Sequence, residues 1–271
     1  MRGGLIMTNL KRHLAPISEE IWSFIDDEAR EILSSKLTAR KAINYNGPMG
    51  LDFAAVNTGR RTDIDETSVA GVSYSKRHVL PLVELEVPFE IELDELESLT
   101  RGAEDVDTDP LIEAAEKIAQ AENEAVLQGL DGANITGIIS VSEHEAITVG
   151  EDLVEPVVEA TKKLVAEGIK GPYNLLLGSE LYSLIYESES NKGYPVKRRL
   201  ESLLEGNIIY SPSLEGQGLL VPQDNEDFEF VSGQDISIGF SQQKGSKLEF
   251  FLTESFTFRV NAPEAAVVLT K

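Results

Sequence analysis

The sequence predicts a mixed α+β fold, on three observations. Helical spacing of apolar residues appears near the start and through the middle of the chain. Strand-like segments dominate after the short helix in "VKRRLESLLEG", from "IIYSP" onward. The two kinds of segment never settle into a regular βαβ series. With 271 residues and 41% hydrophobic content the chain supports one large domain or two ordinary ones with real cores.

The elements follow in order. Ser18 is a good N-cap, and Ile21, Trp22, Ile25, Ala29, Ile32, Leu33 and Leu37 then recur at three- and four-residue spacings, an amphipathic helix. From "NYNGPMG" at 44–50 to "SYSKR" at 73–77 the chain is polar, without a sustained helical period, and reads as an extended excursion. In "VLPLVELEVPFEIEL" the apolar positions Leu85, Val87, Phe89, Ile91 and Leu93 alternate with glutamates, a strand with one wet face. The longest helix signal runs from Asp109 to about Gln128, with Pro110 in its first turn and Gly129 as its stop.

A helix over about 152–167, a buried strand "YNLLLG" at 173–178 and a helix over 179–187 come next. The polar stretch "ESESNKGYPVKRR" at 187–199 separates that helix from a short one in "VKRRLESLLEG". Six strand-like segments complete the chain: "IIYSP", "GLLVP", "FEFVSG", "ISIGF", "KLEFFLTESFTFRV" and "AAVVLT". No internal repeat or low-complexity tract is present.

Composition narrows the function. There is no cysteine, which removes disulfides, thiolate metal sites and cysteine nucleophiles and fits a cytosolic chain. The 24 Lys and Arg against 47 Asp and Glu give a net charge of −23, which disfavours nucleic acid as a partner. No window is long and apolar enough to span a bilayer, so no membrane is expected. "MRGGLIM" has too short an apolar core for a secretory signal, and Met7 offers an alternative start.

Catalytic and metal motifs are weak. Asp105, Asp107, Asp109 and Glu116 have the spacing of a calcium loop, but Pro110 occupies the position that needs glycine, so acids before a helix start are the better account and no metal is expected. His13, His78 and His144 stand in no ligand or triad spacing. The chain has no GxSxG, no Walker loop and no complete glycine-rich dinucleotide turn, so an enzyme is not expected. Tyr74 and Arg77, with Lys76 and His78, combine an aromatic ring with positive charge. A flavin phosphate would fit such a cluster, and so would a plain exposed strand edge; no cofactor is required.

"LKRHLAPI", "IDDEAREIL", "LTARK", "NGPMGLDFAAVNTG", "LPLVELEVPFEIELDELESLTRG", "AENEAVLQG", "GPYNLLLGSELYSLI", "GYPV", "GQDISIGF" and "FLTESFTFRVNAPEAAVVL" run in one order over nearly the whole chain. In these motifs the sequence resembles the family I encapsulins, nanocompartment shell proteins once described as linocin-type bacteriocins. Ala39 stands where the family pattern usually has glycine.

The resemblance implies the tailed-phage major capsid (HK97-like) fold. Residues 7–47 would form an N-terminal arm and inner helix, and 48–78 an extended loop that reaches a neighbour. Residues 79–130 and 226–271 would form a peripheral domain and 131–225 an axial domain. It further implies an icosahedral particle, on the order of sixty subunits, in the cytoplasm. The enclosed cargo would be a ferritin-like iron protein or a dye-decolourising peroxidase, bound through a C-terminal targeting peptide, with roles in iron storage or oxidative stress. Candidates for the peptide groove are Ile25, Ile32, Arg40, Ile236 and Ile238. "SESNKGY" would line a five-fold pore with Glu189, Ser190, Asn191, Lys192 and Gly193, a mixed-charge ring that filters ions and small molecules; without a shell it is an ordinary loop. A DNA-packaging phage capsid protein and a bacteriocin-like protease are the alternatives.

Overall fold

The computed structural model describes residues 8–65, 69–187, 195–223 and 226–271. In chain order, helix α1 (Glu19–Lys36) is followed by strands β1 (Asn44–Asn46), β2 (Ala55–Ile64), β3 (Tyr74–Pro81) and β4 (Val83–Glu92). Helices α2 (Leu93–Thr100) and α3 (Asp109–Leu127) come next, then the short pieces β5 (Gly129–Leu130), β6 (Ile135–Thr136), α4 (Ile138–Val141) and β7 (Ile147–Thr148). The rest is α5 (Val154–Ala166), β8 (Tyr173–Leu177), α6 (Ser179–Glu187), α7 (Val196–Leu204), β9 (Glu205–Tyr210), β10 (Gln217–Pro222), β11 (Phe228–Ser232), β12 (Ser237–Lys244), β13 (Lys247–Val260) and β14 (Val267–Thr270).

Two five-stranded sheets organise these elements. The first runs β1-β11-β13-β12, with β4 also paired to the long central strand β13. Every second residue from Leu248 to Phe258 on β13 is buried, as a strand with one face on the core requires. Helices α1 and α3 cover that face, and Ile25, Ile118 and Phe250 are fully buried between them. Trp22 meets the Phe250 ring edge-on at 5.5 Å, and Phe89 stacks on Phe250 at 5.4 Å. Each such fully buried apolar side chain contributes about 1.5–3 kcal/mol.

The second sheet runs β7-β14-β10-β8-β9. Its strand β8 is buried at all five positions, which explains a run apolar but for Asn174, whose side chain donates to the Ala42 carbonyl and accepts from the Asn207 N–H. Helices α5, α6 and α7 pack on one face through Leu164, Leu181 and Leu200. The other face meets the first sheet in a shared core that contains Leu176, Leu219, Phe230 and Phe256. Gly178, at the turn from β8 into α6, has no room for a side chain, because a Cβ there would lie 1.6 Å from the Leu214 carbonyl oxygen.

The structure departs from the sequence reading at four places. "VLPLVELEVPFEIEL" is two strands, β3 and β4, broken at Leu82, whose N–H bonds the Ala54 carbonyl at 3.0 Å. Leu93, taken as the end of a strand, opens α2, where Leu96 is fully buried. Asn44–Asn46, read within the polar excursion, pairs in parallel with β11. The last strand, grouped by position with 226–271, crosses to the second sheet and pairs with β10 and β7. The extended excursion is otherwise a two-stranded hairpin, β2 with β3, joined to neither sheet by strand pairing.

Candidate functional site

A cleft of about 540 Å³ lies between α1 and the first sheet. The apolar part of its wall is Ala29 and Leu33 of α1 with Leu37 just past the helix end, three positions at helical spacing, beside the polar Asp26, Arg30 and Ser34, and opposite stand Ile236, Ile238 and Leu252. The chain before α1 folds back to close one end. There Arg12 bonds Asp26 at 2.7 Å, and its guanidinium lies 3.9 Å from the centre of the Trp22 ring. The end of α1 is pinned by Asn123 of α3, which accepts from the Ala39 N–H at 2.9 Å and donates to the Lys36 carbonyl at 2.8 Å.

Three of the five groove candidates reach this cleft: Arg40, Ile236 and Ile238. Ile25 is fully buried beneath it in the core under α1, and Ile32 is half-buried on α1 outside the cleft wall. The helical phase that carries the wall runs through Ala29, Leu33 and Leu37, which the sequence reading did not single out as groove residues.

Arg40 is the charged centre of the cleft floor, and its own chain occupies its guanidinium. Nε and Nη2 donate to the Glu122 carboxylate at 2.6–2.9 Å, Nη1 donates to Asp235 at 2.7 Å, and Nη2 also donates to Glu254. The group also lies 4.8 Å from the Phe230 ring centre and 5.0 Å from that of Tyr45. Side chains of Glu122 and Glu254 are wholly buried. Burial by itself lowers the Arg40 pKa, but the hydrogen bond and charge of Glu122, with Glu254 and Asp235, hold it above its ordinary value.

Both buried acids are displaced upward. Burial pushes Glu254 well above the carboxylate range, and the adjacent charge of Glu122 adds to it. Burial also raises Glu122, opposed by Arg40. One guanidinium thus serves two buried carboxyl groups, and burial with mutual repulsion displaces Glu254 further upward than Glu122.

The remaining sequence candidates are dispersed. Tyr74 and Arg77 lie on the exposed hairpin strand β3, and a spacing of three in a strand turns them to opposite faces, so one chain does not clamp a ring between them. Asp107 accepts from the Asp109 N–H at 3.1 Å, a turn leading into α3. Among the described residues, no group of three or more His, Asp or Glu gathers into a metal site. His78 bonds the Thr62 hydroxyl at 2.6 Å and His144 the Glu264 carbonyl at 2.9 Å. Glu189, Ser190, Asn191, Lys192 and Gly193 lie outside the described residues. Among the described residues no helix is long and apolar enough to cross a membrane.

The architecture is that of the capsid class. A virus-like particle protein from Pyrococcus furiosus superposes with a TM-score of 0.58 at 19% identity, covering 90% of this chain and 98% of that one. The Gordonia phage Cozz structure gives 0.56 at 13%, covering 87% and 86%, so the tailed-phage major capsid (HK97-like) fold is shared well beyond sequence likeness. Residues 7–257 match the family model described as encapsulating protein for peroxidase. The type 1 encapsulin shell protein of Rhodospirillum rubrum is 41% identical over 271 residues, covering 97% of this chain and 96% of that one. That of Mycobacterium tuberculosis is 34% identical over 267 residues, covering 97% and 100%. The chain belongs to the type 1 encapsulin shell protein family and builds a capsid-like shell from copies of itself.

Proposed function

We propose that this shell encloses a cargo enzyme, held at the inner surface by an extended, largely apolar C-terminal peptide of the cargo laid into the cleft between α1 and the first sheet. The observation that carries the reading is the cleft itself: a groove of about 540 Å³ with facing apolar side chains, Ala29, Leu33 and Leu37 against Ile236, Ile238 and Leu252, whose Arg40 is already paired by its own chain. A groove of this kind receives side chains from an extended segment and asks little of its charge. The family description, encapsulating protein for peroxidase, favours a dye-decolourising peroxidase over a ferritin-like iron protein, and a role in oxidative stress over iron storage. The particle is on the order of sixty subunits, closed by icosahedral symmetry and located in the cytoplasm. Residues 189–193 line its five-fold pore and filter small substrates by diameter and charge. A flavin bound at Tyr74 and Arg77 would need groups from a neighbouring subunit.

The test is co-expression with a peroxidase carrying its own C-terminal tail, followed by sedimentation of the particles. Leu33→Asp and Ile236→Asp should each leave particles intact and strip peroxidase activity from the pellet. Unchanged co-sedimentation in both variants would remove the cleft as the docking site.

A further inference from the structure

We propose that Tyr182, Tyr186 and Tyr210 form an oxidative coupling site, in which a peroxide-fed one-electron oxidant joins Tyr182 to Tyr210 through a carbon–carbon bond between their rings. The Tyr182 ring centre lies 5.1 Å from that of Tyr210, with the planes inclined at 47°, and 5.9 Å from that of Tyr186. Tyr182 and Tyr186 stand one turn apart on α6, and Tyr210 ends β9, the edge strand of the second sheet. Among the described residues no other two tyrosines are in ring contact, and Tyr194 lies outside them. Tyr45 stacks instead on Phe230, and the buried Tyr173 donates its hydroxyl to the Ile169 carbonyl at 2.8 Å.

The cluster is open at its rim. Tyr186 is 55% exposed and Tyr210 45%, while Tyr182 between them is partly buried. A hydrogen bond with Tyr186, reinforced by burial, holds the Tyr182 phenol above its ordinary value. The proton that must leave when Tyr182 is oxidised therefore has a path to water through the exposed Tyr186 hydroxyl. Side chains that ordinarily intercept oxidants first are missing or shut away: the chain has no cysteine, and its sole tryptophan, Trp22, is buried. Met49 is exposed, but a thioether takes up an oxygen atom and does not couple to a ring.

Holding two rings in contact turns a bimolecular radical encounter into a step within one chain. Each phenol gives up one electron and one proton to become a phenoxyl radical. The radicals join at the carbons beside their oxygens, each of those carbons sheds its hydrogen as a proton, and each oxygen takes one proton back. The net loss is two electrons and two protons, which hydrogen peroxide accepts as it becomes two waters. The oxidant is of the haem-peroxidase class, and for its source alone the proposal rests on the reading that the shell encloses a peroxidase. The product ties α6 to β9, the elements on either side of α7, and hardens the helical cover of the second sheet against local opening.

Cargo-free particles given a small photo-oxidant, a ruthenium trisbipyridyl complex with persulfate under light, test the site itself. A digest of the monomer band from a denaturing gel should contain a peptide joining Tyr182 to Tyr210, lighter than its two parts by two hydrogen atoms, and the particles should gain the blue fluorescence of coupled phenols. Tyr182→Phe, which keeps the ring and drops the hydroxyl, should lose both signals, and Tyr74→Phe neither. Should Tyr182→Phe assemble poorly, Tyr210→Phe at the exposed sheet edge should lose the same peptide. Coupling found only at other tyrosines or only between subunits, or wild-type fluorescence from Tyr182→Phe, would overturn the proposal. Particles loaded with a peroxidase and fed hydrogen peroxide then test the oxidant: the joined peptide supports the proposal, and its absence while peroxidase sediments with the particles overturns it. Peroxidase missing from the pellet counts against the cargo reading instead, and the photo-oxidant result still decides the coupling site.

Discussion

Replacing Arg40 with alanine removes the one cation that stands between two wholly buried carboxyl groups. Glu122 loses three donor contacts at 2.6–2.9 Å, Glu254 loses its guanidinium partner, and Asp235 loses a bond at 2.7 Å. Breaking a buried ion pair from one side costs about 3–5 kcal/mol, because the remaining charge has neither water nor a partner. The guanidinium also leaves two aromatic rings within 5.0 Å, which adds about 0.5–1 kcal/mol. Arg40→Ala should therefore lose about 4 kcal/mol near neutral pH, a fall in Tm on the order of 10 °C.

The loss carries its own pH signature. Without the cation both acids rise further and bind protons that the unfolded chain releases, so the native state holds more protons than the unfolded one and stability recovers as pH falls. Denaturant unfolding followed by Trp22, the sole tryptophan, at fixed protein concentration near pH 8 and near pH 5 reads both effects. A deficit below about 1 kcal/mol near pH 8, or one that does not shrink near pH 5, would refute the assignment of Arg40 as the neutralising centre.

Two further changes follow from the same geometry. Glu254→Gln fixes in neutral form a group that burial already raises, whose contribution in wild type is fully present below the ordinary carboxylate value and is lost as pH rises through the raised one. The variant should be at least as stable as wild type near pH 8, with a flatter stability profile between about pH 5 and pH 8; a steeper decline than wild type would contradict this. Gly178→Ala forces a methyl group to within 1.6 Å of a carbonyl oxygen and should cost about 3 kcal/mol in chemical denaturation, while Gly132→Ala, with nothing within 4 Å, should change stability by less than about 0.5 kcal/mol.

Much of the fold was legible because single periodicities set single elements. Ser18 and the stripe from Ile21 to Leu37 mark α1, and the Ser18 hydroxyl does accept from the Ile21 N–H at 3.4 Å. Pro110 and Gly129 mark the two ends of α3, and "YNLLL", apolar but for Asn174, is the strand covered on both faces. Helix α2 was lost because the alternation of β4 reaches Leu93 without a break, although Leu93, Leu96 and Leu99 already carry the new period.

The charged centre was half legible. Glu122 sits in the apolar stripe of α3, and Glu254 in the buried phase of β13 between Leu252 and Phe256, so both were acids in core positions. Their common partner was not readable, since Arg40 and Glu254 are 214 residues apart and only the tertiary fold joins them. The family resemblance supplied the idea of a groove beside the inner helix. Which face of α1 forms its wall depended on helix packing, which placed Ile25 in the core and Leu33 at the cleft.

The crossing of β14 into the second sheet has a consequence in time. This four-residue strand lies between β7 and β10, with Val267 and Leu269 in the core beneath the helices and Val268 in the core between the sheets. A ribosome delivers residues in order, so any chain interrupted before Val267 carries a gap in the middle of a sheet and two cores open along the same line. Such a fragment presents unpaired strand edges to holding chaperones and proteases instead of finished surfaces to its siblings. Synthesis must pass Thr270 before a subunit is fit to join a wall, and in a shell, where one malformed tile spoils its neighbours, that closure screens out copies that lack β14.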